Sequence, residues 1–106
     1  MLVVNGKNFT EKVLQEEKLT IVDFWSSTCM PCRVYSLVID KIADLFKDKI
    51  CVYKVNVEKE PELAIKYNIM SIPLTIFFKG GKEIDRLIGV IQQPVLEDKI
   101  CVILSE

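Results

Sequence analysis

Histidine is absent from this chain of 106 residues. A zinc site would therefore have no imidazole ligand, though the four cysteines could supply thiolates. No apolar run approaches the roughly 18 residues that a membrane-crossing helix needs. The first residues, Met1-Leu2-Val3-Val4-Asn5, lack the basic start and long apolar stretch of a secretory signal, so a cytosolic location is expected. Neither sign of charge dominates: 14 Lys and Arg oppose 15 Asp and Glu, for a net charge of −1. That balance argues against nucleic acid as the main partner. Four glycines and four prolines form no linker, and there is no internal repeat or low-complexity stretch. Half the residues are hydrophobic and 27% are charged, which argues against disorder. The length suits one domain, residues 1–106, with a real core.

What the chain does have is one Cys-x-x-Cys motif, Cys29-Met30-Pro31-Cys32. It stands where the apolar run Thr20-Ile21-Val22-Asp23-Phe24-Trp25 hands over to a helical pattern from about Pro31 toward Asp48. Residues three apart on a helix are neighbours, near enough for the Cα separation of a disulfide. The peptide dipoles and free N–H groups of a helix start favour a thiolate at the first cysteine. In a reducing compartment such a pair beside a βαβ pattern reads as a redox motif rather than a structural bridge. The expected chemistry is reversible dithiol–disulfide exchange, with Cys29 attacking and Cys32 resolving. Arg33 after Cys32 excludes haem attachment of the Cys-x-x-Cys-His kind.

The elements alternate. Leu2-Val3-Val4 reads as a short strand, and Asn8 with Glu11 as a capping box opening a helix to about Gln15. Residues 20–25 read as a central parallel strand covered on both faces. In the helix after Cys32, the spacing predicts burial of Val34, Val38, Ile42, Leu45 and Phe46. Ile50–Val57 reads as a second central strand, and Pro61 opens a short helix through Tyr67. Leu74–Phe78 and Glu83–Ile88 flank Lys79-Gly80-Gly81-Lys82, which signals an antiparallel hairpin. Pro94 opens a last helix with Leu96, Ile100, Ile103 and Leu104 on one face. The class is α/β: a central mixed sheet, parallel first and with an antiparallel hairpin later, flanked by helices on both faces.

Over nearly its whole length the chain resembles the thioredoxin family. The segments that carry the resemblance are Val22-Asp23-Phe24-Trp25, Cys29-Met30-Pro31-Cys32, Lys54-Val55-Asn56-Val57, Ile72-Pro73, Phe78-Lys79-Gly80-Gly81 and Gly89. Their order and spacing match the family throughout. The resemblance implies the thioredoxin fold and a monomeric protein disulfide reductase. Its partners would be disulfide-containing proteins and a thioredoxin reductase that recharges it, with no cofactor on the chain. It also implies that Pro73 is cis and lies against the disulfide, and that Asp23 and Lys54 sit behind the thiols. The sequence departs from the family pattern at four places. Thr28 and Met30 stand where Trp and Gly are usual around the first cysteine, and they reshape the surface a partner touches. Leu37 replaces a kinking proline, and Leu74 intervenes between Pro73 and Thr75.

Asp23 is the one charged residue in its strand, six residues before Cys29. A buried carboxylate without a partner tends to take up a proton. Its functional role would be proton acceptor for Cys32; its structural role would be a sheet-edge residue or an ion pair with Lys54. A cis bond at Pro73 would free the Ile72 backbone to pair with an extended substrate segment. Trp25, Met30, Met70, Ile72, Pro73, Val90 and Ile91 would form a shallow apolar platform around the disulfide, or be ordinary core. Thr28, Pro31 and Gly89 complete its rim. Cys51 is expected to be an inert buried thiol, and Cys101 a half-buried structural one. Other functions fit the same residues: an oxidase or isomerase, a module that binds one specific protein, or a metal carrier using Cys51 and Cys101 as further ligands.

Overall fold

The computed structural model describes residues 2–3, by their backbone alone, and residues 8–106. Within them the chain forms a five-stranded sheet of β1 (Leu2–Val3), β2 (Leu19–Trp25), β3 (Ile50–Asn56), β4 (Leu74–Lys79) and β5 (Lys82–Ile88). The helices are α1 (Met30–Leu45), α2 (Pro61–Lys66) and α3 (Gln93–Leu104), with a π-helical segment at Thr10–Leu14. The strand order is β1-β3-β2-β4-β5. β3 runs parallel to both β1 and β2, whereas β4 is antiparallel to β2 and to β5. The mixed α/β architecture expected from the alternating pattern is the one observed. Val4, the end of the expected first strand, lies outside the described residues.

β2 is central because nearly every residue in it can be buried; six of its seven positions are. Strand alternation sends Leu19 and Ile21 to one face and Val22 and Phe24 to the other. On the first face they meet Tyr35, Ile39 and Ile42 of α1 and Leu96, Ile100 and Ile103 of α3. On the second they join Phe9, Val13, Leu63 and Phe78, with Tyr67 packed alongside. The rings of Phe9 and Tyr67 each meet Phe78 edge-on, at 5.9 and 5.5 Å between centroids. The β4–β5 hairpin turns on Gly80 and Gly81, with φ of 60° and 80°; a two-residue turn that needs two positive φ values takes glycine at both. At Gly81 a second constraint applies, because a Cβ would stand 2.5 Å from the Leu14 carbonyl oxygen.

Three expectations are corrected. The inner face of α1 is Cys32, Tyr35, Ile39 and Ile42. Val34 and Leu45 are instead exposed, at 59% and 57%, and Val38 and Phe46 are only half-buried. Apolar residues occur around most of this helix, so spacing alone allowed two phases. Cys32, held inward against Cys29, and Tyr35, hydrogen-bonded across to β4, select the other one. Before β2 the helix is π-helical, with Phe9 rather than Asn8 at its N-cap and no side-chain cap bond there. Cys101 is exposed, not half-buried, and Cys51 is half-buried rather than fully so.

Candidate active site

Cys29 is the N-cap of α1. Its backbone is extended, at φ −94° and ψ 106°, and its sulfur accepts the N–H of Cys32 at 3.2 Å. Pro31 fits the first turn because the missing N–H would be an orphan there anyway. The two cysteines form a disulfide with a Cα separation of 5.3 Å. Cys32 is buried and Cys29 is partly exposed, so an incoming sulfur reaches Cys29 first. The helix start supplies N–H groups and dipole that stabilise a thiolate at that position.

The loop before Cys29 is tied down from both sides. The Ser27 N–H and hydroxyl both donate to Glu58, at 3.0 and 2.8 Å. Those bonds hold the Glu58 carboxyl below its ordinary range. Arg33 donates to the Ser27 carbonyl at 3.1 Å, and the Thr28 N–H donates to Ser26 Oγ at 3.2 Å. None of these contacts was anticipated from sequence; they join residues up to 31 positions apart.

Opposite the disulfide, the Ile72-Pro73 bond is cis. Pro73 is buried, and the Ile72 carbonyl oxygen lies 3.9 Å from Cys29 Sγ. The Gly89 N–H donates to the Pro73 carbonyl at 2.8 Å, which brings the end of β5 to the site. Around this point Met30 is 66% exposed, Met70 83% and Val90 44%. Thr28 and Pro31 are also exposed, and Trp25, Ile72 and Gly89 are half-buried. Met70 therefore belongs to the surface, whereas Ile91 packs against the core. The backbone of Trp25 is fixed by the Val57 N–H at 2.9 Å, while its indole N–H has no partner.

Beneath α1 lies Asp23, 1% exposed, with neither carboxylate oxygen hydrogen-bonded. Alternation along β2 places it on the same face as Leu19 and Ile21. Its register partners are Lys54 on β3 and Thr75 on β4. Burial pushes its carboxyl up to about 7, with Lys54 pulling it down and Asp40 pushing it further up. β2 is the middle strand of five, so Asp23 is not an edge residue. Nor does it pair with Lys54, whose ammonium stands 3.1 Å from Asp40. Sequence reading missed Tyr35, buried on α1, whose hydroxyl shares a 2.7 Å hydrogen bond with Thr75. Burial pushes that phenol up to about 12.

Cys51 faces the cluster on the far side of the sheet from α1, and Cys101 is on α3. Neither sits with the Cys29–Cys32 pair. Among the described residues no three His, Cys, Asp or Glu side chains are grouped to hold a metal, and no helix is long and apolar enough to cross a membrane.

Comparison with known proteins gives the same reading. The thioredoxin family model matches residues 1–101. The chain is 37% identical to a thioredoxin of Alicyclobacillus acidocaldarius, over 98% of each chain. It is 38% identical to a thioredoxin of Chlorobaculum thiosulfatiphilum, covering 89% of this chain and 87% of that one. It is also 41% identical to a chloroplastic M-type thioredoxin of Spinacia oleracea over 92% of its own length, spanning only 54% of that relative. A sheet of this order, a disulfide capping α1 and a cis proline facing it thus coincide with a sequence match along almost the whole chain, which belongs to the thioredoxin family.

Proposed function

We propose that this chain is a protein disulfide reductase working through Cys29 and Cys32. The observation that carries the reading is Cys29 at the N-cap of α1, partly exposed, bridged to a buried Cys32 and receiving its N–H. In the reduced protein the Cys29 thiolate attacks one sulfur of a partner's disulfide. A Cys29–partner bond forms, and the partner's other sulfur leaves as a thiolate that takes a proton from water. Cys32 then gives its proton to the Asp23 carboxylate and attacks Cys29 Sγ. The Cys29–Cys32 disulfide forms, and the partner's second sulfur leaves and is protonated. Two electrons have passed to the partner; a separate thioredoxin reductase returns two electrons and two protons.

Roles follow for the surrounding residues. Trp25, Thr28, Met30, Pro31, Ile72, Pro73, Gly89 and Val90 form the docking platform. An extended partner segment lies along the Ile72 backbone and pairs with it as an added strand. Lys54 is the register neighbour of Asp23 on the adjacent strand, with its ammonium turned to Asp40. The chain acts as one domain and as a monomer, in a reducing compartment such as the cytosol, where the dithiol is regenerated. Insulin reduction driven by a panel of reductases tests the reading. Rapid turnover with at least one of them, abolished by Cys29→Ser, supports it. Turnover with none of them overturns it, and a biological activity that survives in the Cys29 variant supports a protein-binding module instead.

A further inference from the structure

Asp23 and Lys54 are register partners on adjacent parallel strands, and alternation puts both side chains on the face beneath α1. A carboxylate and an ammonium side by side in such a place ordinarily pair, since the opposite charge favours the ionised form of each. Here they do not. Both oxygens of Asp23 lack a hydrogen-bond partner. Lys54 instead donates to Ser36 Oγ and stands 3.1 Å from Asp40 Oδ1. Ser36 and Asp40 are four residues apart on α1, hence neighbours on one side of the helix. The Asp40 side chain is 53% exposed and that of Lys54 only 16%, so the ammonium is drawn outward along the helix.

We infer that Ser36 and Asp40 are positioning residues that hold the Lys54 ammonium away from Asp23, leaving the buried carboxyl unpaired and free to take and release a proton. The inference rests on the reading of Asp23 as proton acceptor for Cys32. Its chemical sense is direct. With Lys54 swung onto it, Asp23 would stay ionised to much lower pH and would be a weaker base toward a thiol. Among the described residues, β3 presents Lys54, α1 presents Asp40, the Tyr35 phenol and, in the reduced protein, the Cys32 thiol, and β4 presents the uncharged Thr75. Asp40 also raises the Asp23 carboxyl by its own charge, so the test must separate that effect from the holding of Lys54.

The test is the titration of the Asp23 carboxyl, read by ¹³C NMR on the oxidised full chain, in five proteins. These are the wild type, Lys54→Met, Ser36→Ala, Ser36→Ala with Asp40→Asn, and Lys54→Met, Ser36→Ala and Asp40→Asn together. In the Lys54→Met background, removing Ser36 and Asp40 reports their direct influence alone. With Lys54 present, the same removal is expected to lower the Asp23 midpoint further by about one pH unit or more, as for an opposite charge brought within about 4–6 Å. Ser36→Ala alone changes no charge and is expected to lower the midpoint in the same direction by less. Equal lowering with and without Lys54, or no effect of Ser36→Ala, overturns the proposal. The pH dependence of mixed-disulfide resolution is measured on the same variants and is expected to follow the midpoint. If the carboxyl midpoint drops and the resolution profile stays put, Lys54 positioning is upheld and the proton-acceptor role of Asp23 is what fails.

Discussion

Replacing Asp23 with Asn should remove a pH dependence of stability that the structure makes large. The Asp23 carboxyl is pushed from 3.8 to about 7 by burial. In the unfolded chain it returns to its ordinary range, so the folded state holds a proton that the unfolded state has already lost. A group raised in this way stabilises the fold fully below about pH 4, and the contribution is lost as pH rises through about 7. Three pH units correspond to about 4 kcal/mol in total, of which about 3 kcal/mol is lost between pH 5 and pH 9. Asn has nearly the same shape and does not titrate. The assay is urea unfolding of the oxidised protein at pH 5, 7 and 9, wild type against Asp23→Asn. All other titrating groups are common to the two proteins, so their contributions largely cancel in the difference. Wild type is expected to lose about 3 kcal/mol relative to the variant across that range. At a urea slope of about 1–3 kcal/mol per molar, its midpoint should fall by 1 M or more relative to the variant. Parallel pH curves for the two proteins would refute the argument, because they would mean that Asp23 is ionised in the folded protein throughout. The same substitution should leave attack by Cys29 intact and slow resolution by Cys32, by up to about 10²–10⁴-fold if the carboxylate serves fully as general base.

Cys32→Ser should trap stable mixed disulfides with partner proteins in a lysate and Cys29→Ser should trap none; the reverse pattern would invert the order of attack. Met30→Gly with Thr28→Trp alters two exposed residues beside the disulfide and should raise turnover with a generic thioredoxin reductase while moving the redox potential by about 30 mV or less. A potential shift above about 60 mV with unchanged reductase kinetics would contradict that expectation. Tyr35→Phe leaves the buried Thr75 hydroxyl without its 2.7 Å partner and should cost about 1–3 kcal/mol by chemical denaturation; an unchanged midpoint would show that Thr75 finds another partner. Gly81→Ala should destabilise more than Gly89→Ala, since both sit at positive φ but only at Gly81 would the new Cβ meet a backbone oxygen, at 2.5 Å; equal losses measured by thermal melting would mean that backbone strain, not the Leu14 contact, sets the cost.

The elements of the fold were legible in the sequence because each is signalled locally. A six-residue, mostly apolar stretch marks β2, Gly80-Gly81 marks the hairpin, and Pro31, Pro61 and Pro94 mark helix starts that the structure places within a residue or two. Cys29 and Cys32 were legible because three residues on a helix span one turn, and Asp23 because a lone carboxylate in an apolar strand has few roles. The phase of α1 was not legible. Val34, Val38 and Leu45 satisfy the same spacing rule as Tyr35 and Ile39, and only contact with Cys29 and β4 chose between them. The partner of Lys54 was equally hidden. Strand register makes Asp23 its neighbour, but whether its ammonium turns toward that neighbour or toward Ser36 and Asp40 depends on where a helix from another part of the chain is laid down. Sequence by itself thus determined which residues carry the thiols and the carboxyl. The tertiary structure decided the surroundings of that carboxyl, because the energy of a buried charge is set by groups brought near it from distant segments rather than by its own neighbours along the chain.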